Sequence, residues 1–442
     1  MNQDITPVAQ SIAALTPEQA FTYLSVHFRT IDQHTNRFKA LLPRMDWQKL
    51  YAIGLRNNLF AHFYRVLKHA ELQPLAPADF VAYCRDRYFF FDFKINAYRQ
   101  EMAAVLPLLH AQDLPYVTSR GYHFCYHLYD NLPVKVFNDI DLFTTPEVVD
   151  DIIVRLEPLG YRLRGNSLSL DYYKKYHLHV QLQNQKNSVL IELHWAPDHK
   201  YTLYQVPVSF ILEHSRTCSM GTFDARVPDR ELELLLTLLH SIKHAPLIKY
   251  AHTQAERMQL FFSGIEAMKF LDCHYYIRHQ YDKINWQRLA ELSRQFFCAD
   301  HLRVGLEYIQ QVLHTPVPQD FTAALPPYKP RPAESWLPRL LLRLQNQDVN
   351  RVKRHWRWVH ALFSRHHDAL VFNHIRIIDL FRFFNPPKAY LGHLKTRHNL
   401  PYWRRNRLYL FFHGLWQVWL NVYSAAKELL CRKRHDSATH SA

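Results

Sequence analysis

The chain has 442 residues, 48% hydrophobic and 21% charged, the composition of a globular protein with room for two or three cores rather than of a disordered one. Lys and Arg total 54 against 39 Asp and Glu, a formal charge of +15 that attracts phosphates without choosing among nucleotides, nucleic acid and anionic lipid. Nine glycines, with no G-x-G-x-x-G and no G-x-x-x-x-G-K-[ST], argue against a Rossmann or Walker site.

Residues 17–111 read as helical. Thr16-Pro17-Glu18-Gln19 is a helix start with Pro in the first turn. Asp46 can cap a helix over Trp47–Ala70, and 78–111 carries another whose aromatic run Tyr88-Phe89-Phe90-Phe91 suggests deep packing. The pattern then changes to a short strand Leu114–Thr118, a turn Ser119-Arg120-Gly121, a helix Tyr122–Tyr129 and a strand Lys135–Phe143. Thr145-Pro146-Glu147 starts a helix to Leu159, which Gly160 stops. Extended segments follow at Tyr161–Leu163, Tyr176–Leu182 and Val189–Trp195. From Asp229 the chain is again helical, near 230–247, 252–273 and 285–313. A Pro-rich stretch, Pro316 to Pro332, reads as a semi-rigid linker, and 334–430 as basic, aromatic helix.

The six cysteines, Cys84, Cys125, Cys218, Cys273, Cys298 and Cys431, form no C-x-x-C pair and read as reduced structural thiols of a cytosolic protein. Met1–Leu15 has no basic stretch followed by an apolar one, so no signal peptide is expected.

The chemistry concentrates in Asn138-Asp139-Ile140-Asp141-Leu142-Phe143. Carboxylates at i and i+2 of a strand share a face, while Ile140 and Leu142 supply the core face. Side by side they repel, and Mg²⁺, a hard cation that also binds substrate phosphates, relieves the repulsion. The plain alternative is an edge strand with acids in water. Glu192 and His194 in Ile191-Glu192-Leu193-His194-Trp195 also share one face, so that neighbouring strands would bring Asp139, Asp141 and Glu192 together. Ser119-Arg120-Gly121 joins a strand to a helix N-terminus, where free N–H groups suit phosphate and Arg120 adds charge.

Other signals are weaker. His177 and His179 share a strand face without a third or fourth zinc ligand in view. His240 and His244 have metal-ligand spacing but lack the Glu of H-E-x-x-H. Arg351–Trp358 mixes basic and aromatic residues, as a nucleic-acid surface or an amphipathic helix would. Leu408–Ala426 holds no charged residue but carries a polar stripe, His413, Gln417 and Asn421, which fits an amphipathic helix better than a span.

On these motifs residues 114–196 resemble the nucleotidyltransferase superfamily of DNA polymerase β and the poly(A) polymerases. Residues 46 to about 320 resemble a bacterial group of nucleotidyltransferases often encoded near surface-polysaccharide genes. The matching motifs are Arg120-Gly121 after the first strand, Lys135 four before Asp139 in place of Arg, Asp139-Ile140-Asp141-Leu142, Leu159-Gly160-Tyr161, Glu192-Leu193-His194-Trp195, and Leu239-His240 with Lys243-His244. The superfamily's Gly-Ser is here Arg120-Gly121, with Ser119 ahead of the glycine.

The resemblance implies an α+β fold, a small mixed-sheet nucleotidyltransferase core (113–228) flanked by helical N-terminal (1–112) and C-terminal regions (229–315, then a linker 316–333 and a basic 334–442). It implies transfer of a nucleotidyl group from a nucleoside triphosphate such as ATP to a hydroxyl-bearing sugar, protein or RNA acceptor, with Mg²⁺ or Mn²⁺. Asp139, Asp141 and Glu192 would be catalytic metal ligands, with Glu192 also placed to take the acceptor's proton. Ser119, Arg120, Gly121, Lys135, His194, His240 and Lys243 would face the nucleotide. The expected location is the cytoplasm, with peripheral contact at the inner membrane through 404–433. The rival readings are a nucleic-acid-binding or RNA-modifying protein and a catalytically inactive scaffold at the membrane surface.

Overall fold

A computed structural model describes residues 14–164, 170–198, 204–262 and 268–328. The expectations for Arg351–Trp358, Leu408–Ala426 and 404–433 lie outside the described residues.

The N-terminal third is helical: α1 (Pro17–Val26), α2 (Thr35–Leu41), α3 (Trp47–Asn57), α4 (Phe60–Leu67) and α5 (Ala78–Ala111). Thr16 and Gln19 close a capping box on α1, and Asp46 Oδ1 accepts from the Lys49 N–H at 3.1 Å to start α3. The single helix expected over 47–70 is broken. Asn58 adopts a left-handed conformation (φ 56°) and the chain folds back, so that Phe60 and Phe63 lie against Gly54. A Cβ at residue 54 would come within 2.8 Å of both rings. Helix α5 has the expected limits, but its aromatic run is not deeply packed throughout. Phe91 is buried while Phe89 and Phe90 are about half exposed, because consecutive residues of a helix point around its whole circumference.

The α/β unit follows: β1 (Val117–Thr118), α6 (Gly121–Tyr129), β2 (Ile140–Phe143), α7 (Val149–Leu156), β3 (Tyr161–Leu163), α8 (Leu170–Tyr176), β4 (His179–Asn184) and β5 (Leu190–His194). Gly160 stops the α7 region at φ 95°. Two expectations are corrected. The strand predicted from Lys135 begins only at Ile140, since the preceding residues are drawn into side-chain contacts; Tyr98 donates its hydroxyl to the Asn138 carbonyl and Lys94 Nζ donates to Asn138 Oδ1 (2.7 Å). The strand predicted from Tyr176 begins at His179, and Tyr176 instead ends a helix.

The five strands run in the order β1-β2-β5-β4-β3. Only β2 and β5 pair in parallel; the other neighbours are antiparallel. Ile140, Leu142, Val180, Leu182, Ile191 and Leu193 fill one face of the sheet, against the second half of α5 (Ile95 to Leu109) and α7. The first half of α5 (Phe80, Val81, Cys84, Phe91) belongs to a different core, shared by the N-terminal helices and the helices after residue 229. One helix thus ties the five-stranded sheet to the helical body. Each fully buried Phe of that body, such as Phe21, Phe38 or Phe63, contributes ~2 kcal/mol of transfer free energy.

A short helix α9 (Val208–Glu213) and a hairpin β6 (Ser215–Ser219) to β7 (Asp224–Pro228) precede the C-terminal helices α10 (Arg230–His244), α11 (Gln254–Phe262), α12 (Met268–Gln280), α13 (Trp286–Gln295), α14 (Ala299–Leu313) and α15 (Gln319–Ala324). The helix expected over 285–313 is divided at Phe297 (φ 57°), and α15 lies inside the stretch read as linker. Tyr275 Oη donates to the Val26 carbonyl at 2.6 Å, joining α12 to α1 across the sequence. No helix among the described residues is long and apolar enough to cross a membrane.

Candidate active site

The face of the sheet opposite its apolar core carries the polar cluster. Parallel pairing of β2 with β5 sets Asp141 opposite Glu192 and Phe143 opposite His194. Antiparallel pairing of β4 with β5 sets Gln181 opposite Glu192 and His179 opposite His194. Strand alternation therefore delivers Asp141, Gln181, Glu192, His179 and His194 to one face. Asp139 lies one residue before β2, at its mouth rather than on the strand.

His194 Nε2 lies 3.0 Å from both Asp141 Oδ1 and Glu192 Oε2. Arg120 Nη2 donates to Asp141 Oδ2 at 2.8 Å, and Gln181 Nε2 donates to Glu192 Oε1 at 2.6 Å. Asp139 has no hydrogen bond or ion pair among the described residues. Electrostatics follow from these contacts. Burial, reinforced by the charges of Asp141 and Glu192, pushes Asp139 up to about 7. Burial alone would raise Asp141 too, but the Arg120 guanidinium and His194 outweigh it and hold that carboxyl well below its ordinary value. Burial likewise opposes ionisation of Glu192, yet the His194 hydrogen bond and nearby His179 bring it down to about 2. Burial disfavours the imidazolium of His194, while hydrogen bonds to Asp141 and Glu192 raise it to about 9, so His194 is charged at neutral pH.

The turn between β1 and α6 adjoins this cluster. Arg120 has φ 58° and ψ −137°, a backbone conformation few non-glycine residues adopt, costing ~1–3 kcal/mol. Gly121 also has positive φ (45°), and a Cβ there would lie 3.5 Å from the Asp139 carbonyl oxygen, so the helix start and the aspartate are neighbours. The Ser119 hydroxyl is buried with no hydrogen-bond partner among the described residues.

Arg120 also lines a small cleft with Asp198, Tyr204, Leu239, His240 and Lys243. Its volume, about 20 Å³, holds a water-sized occupant. Lys269 Nζ donates to His240 Nε2 at 3.1 Å; burial, with the charge of Arg120 nearby, holds His240 well below its ordinary value and keeps it neutral. Lys243 pairs with Asp198 at 3.2 Å. Through Arg120, then, the structure brings the carboxylates, the Ser119–Gly121 turn, His240 and Lys243 into one region. Lys135 is placed differently. Its ammonium pairs with Asp272 (2.5 Å), to which Tyr129 Oη also donates (2.8 Å), rather than with Asp139 or Asp141.

Sequence reasoning missed Lys94 and Gln181. Gln181 shares the alternation of His179 and is legible once the limits of β4 are right. Lys94 gives no local signal. It sits on α5, its pKa lowered by burial and partly restored by the charge of Asp139, and only the docking of α5 on the sheet brings it there.

A mixed sheet bearing two carboxylates, with a third at its mouth, beside a cationic strand-to-helix turn suits the handling of phosphates and their counter-cations. The family model described as uncharacterised nucleotidyltransferase matches residues 43–314, well over half of the chain. The chain belongs to that family and is a nucleotidyltransferase of α+β fold, with a nucleoside triphosphate as substrate. None of the curated proteins compared with the chain matches it.

Proposed function

We propose that Asp139, Asp141 and Glu192 hold the divalent cation, Mg²⁺ or Mn²⁺, and that the enzyme moves a nucleoside monophosphate from a nucleoside triphosphate to a hydroxyl on an acceptor. The observation that carries this reading is the parallel pairing that sets Asp141 opposite Glu192, with Asp139 unpaired beside them. The donor set fits: three oxygen ligands suit a hard cation, and a carboxyl driven up to about 7 by burial and by its acidic neighbours is one that a cation would return to the ionised form. When bound, the metal neutralises charge on the phosphates and on the attacking oxygen.

The remaining roles belong to the protein's own side chains. His194, as imidazolium, lies 3.0 Å from one oxygen of Asp141 and one of Glu192 and holds the two carboxylates together across the strands. Glu192 would take the acceptor's proton. Gln181 keeps Glu192 oriented. Arg120 and the N-terminus of α6, with the unpartnered Ser119 hydroxyl, receive the triphosphate. Lys243 and His240 face the same region, and the Lys243–Asp198 pair must part for a nucleotide to enter so small a cleft. Lys135 braces the approach to β2 against α12, so a direct phosphate role is not carried over.

The five described cysteines are free thiols, which supports work in the reducing cytoplasm. A surface-polysaccharide acceptor rests on the resemblance of the motifs alone. The test is a label-transfer screen. Protein, Mg²⁺ or Mn²⁺ and each α-³²P-labelled nucleoside triphosphate are incubated with cell extract, with Asp139→Ala/Asp141→Ala as control. We expect labelled acceptor and pyrophosphate only with the wild type. Label transfer surviving the double substitution would overturn the assignment.

A further inference from the structure

A second cluster of ligating side chains lies outside the carboxylate site. His123 and His127 are one helical turn apart on α6 and point to the same side. Cys218, on β6, completes the group: its Sγ is 3.1 Å from His127 Nε2, and one ligand atom from each of the three lies within 4.8 Å of the others. His123 is almost fully buried, and its Nδ1 has no hydrogen-bond partner among the described residues. Its Nε2 meets Glu233 Oε2 of α10 at 3.3 Å, and Glu233, fully buried, keeps its other oxygen unpartnered. Arg216, 4.0 Å from the same Glu233 oxygen, shares that negative charge. His127 and Cys218 are only partly buried, which leaves access from solvent.

We propose that His123, His127 and Cys218 form a zinc site that fastens α6 to the β6–β7 hairpin. The donor set decides the metal. Two imidazoles and a thiolate suit Zn²⁺ and are poor ligands for Mg²⁺, so this site and the carboxylate site select different ions. The ligand forms are the thiolate and the neutral imidazoles, so zinc binding here would release protons. Glu233 is the carboxylate that commonly stands behind a ligating histidine and fixes its ring. Three protein ligands leave one tetrahedral position for water. Helix α6 opens on the Arg120-Gly121 turn, so zinc here would steady the element from which Arg120 reaches Asp141.

The test uses full-length protein without a histidine tag, stripped with chelator and titrated with Zn²⁺ and, separately, Co²⁺, with no nucleotide present. Expected are one tightly held Zn²⁺ per chain and a thiolate-to-cobalt charge-transfer band. Cys218→Ser removes the band and His127→Ala weakens Zn²⁺ binding at least tenfold. Glu233→Gln weakens it ~10–100-fold. Asp139→Asn/Asp141→Asn and Cys431→Ser retain both signals. Metal-free melting curves of the variants show whether each folds. Should Cys218→Ser fail to fold, alkylation of wild-type Cys218, mapped by mass spectrometry, must slow when one equivalent of Zn²⁺ is added. No zinc uptake by the wild type, a band that persists in folded Cys218→Ser, or unprotected Cys218 would each overturn the proposal.

Discussion

Asp139→Asn is expected to stabilise the metal-free protein while abolishing transfer. In the wild type the Asp139 carboxyl lies at about 7 in the folded chain against an ordinary 3.8. A value raised by folding means that the protonated group favours the fold. That contribution is complete below pH 3.8 and is lost as pH rises through about 7. At ~1.4 kcal/mol per pH unit the whole interval amounts to about 4 kcal/mol. Asp139 is only half-buried, so solvent screening reduces the expected effect to about 2 kcal/mol. Asparagine keeps the shape without the charge. Urea unfolding in EDTA should therefore show Asp139→Asn about 2 kcal/mol more stable than wild type at pH 8, with the gap closing toward pH 4. Saturating Mg²⁺ should reverse the order at pH 8, because it stabilises the wild type through binding and the variant much less. Equal stabilities at pH 8 in EDTA, or a gap independent of pH, would refute the argument that uncompensated acidic charge gathers at this residue.

Three further outcomes follow from contacts already described. Arg120→Met leaves Asp141 with His194 alone and removes a cation from the phosphate turn; kcat is expected to fall ~100-fold in steady-state assays, and a change below twofold would remove Arg120 from the site. Lys135→Met should act on stability, costing ~3 kcal/mol in urea melts because Asp272 is left buried with only Tyr129, and adding Asp272→Asn should restore most of it; lost activity at unchanged stability would instead place Lys135 at the nucleotide. Gly54→Ala, which in an ordinary helix gains up to ~1 kcal/mol, should here lose ~1–3 kcal/mol through collision with Phe60 and Phe63, seen as a lowered Tm.

The legible part of the site was the part written in local alternation. Asp141, Glu192 and His194 stand at every second position among apolar residues, so their shared face could be read without knowing the fold. Asp139 belongs to the same motif, but the strand begins one residue after it, because contacts from Lys94 and Tyr98 on a helix some forty residues upstream hold Asn138 out of the ladder. Helix α5 was legible from end to end, being glycine-free and long. The helix expected over 47–70 failed because its break depends on aromatic rings closing on Gly54, a packing event that propensity does not encode.

The sequence by itself determined the chemistry on offer: the carboxylates, the cationic turn with its glycine, the apolar partners and the alternation that separates them. Tertiary structure decided which of these meet. It chose the parallel pairing of β2 with β5, gave Arg120 to Asp141 and Lys135 to Asp272, and brought His123 and His127 to Cys218. Those outcomes depend on strand order and helix docking, which arise from long-range burial of apolar surface, and no short window of residues carries that information.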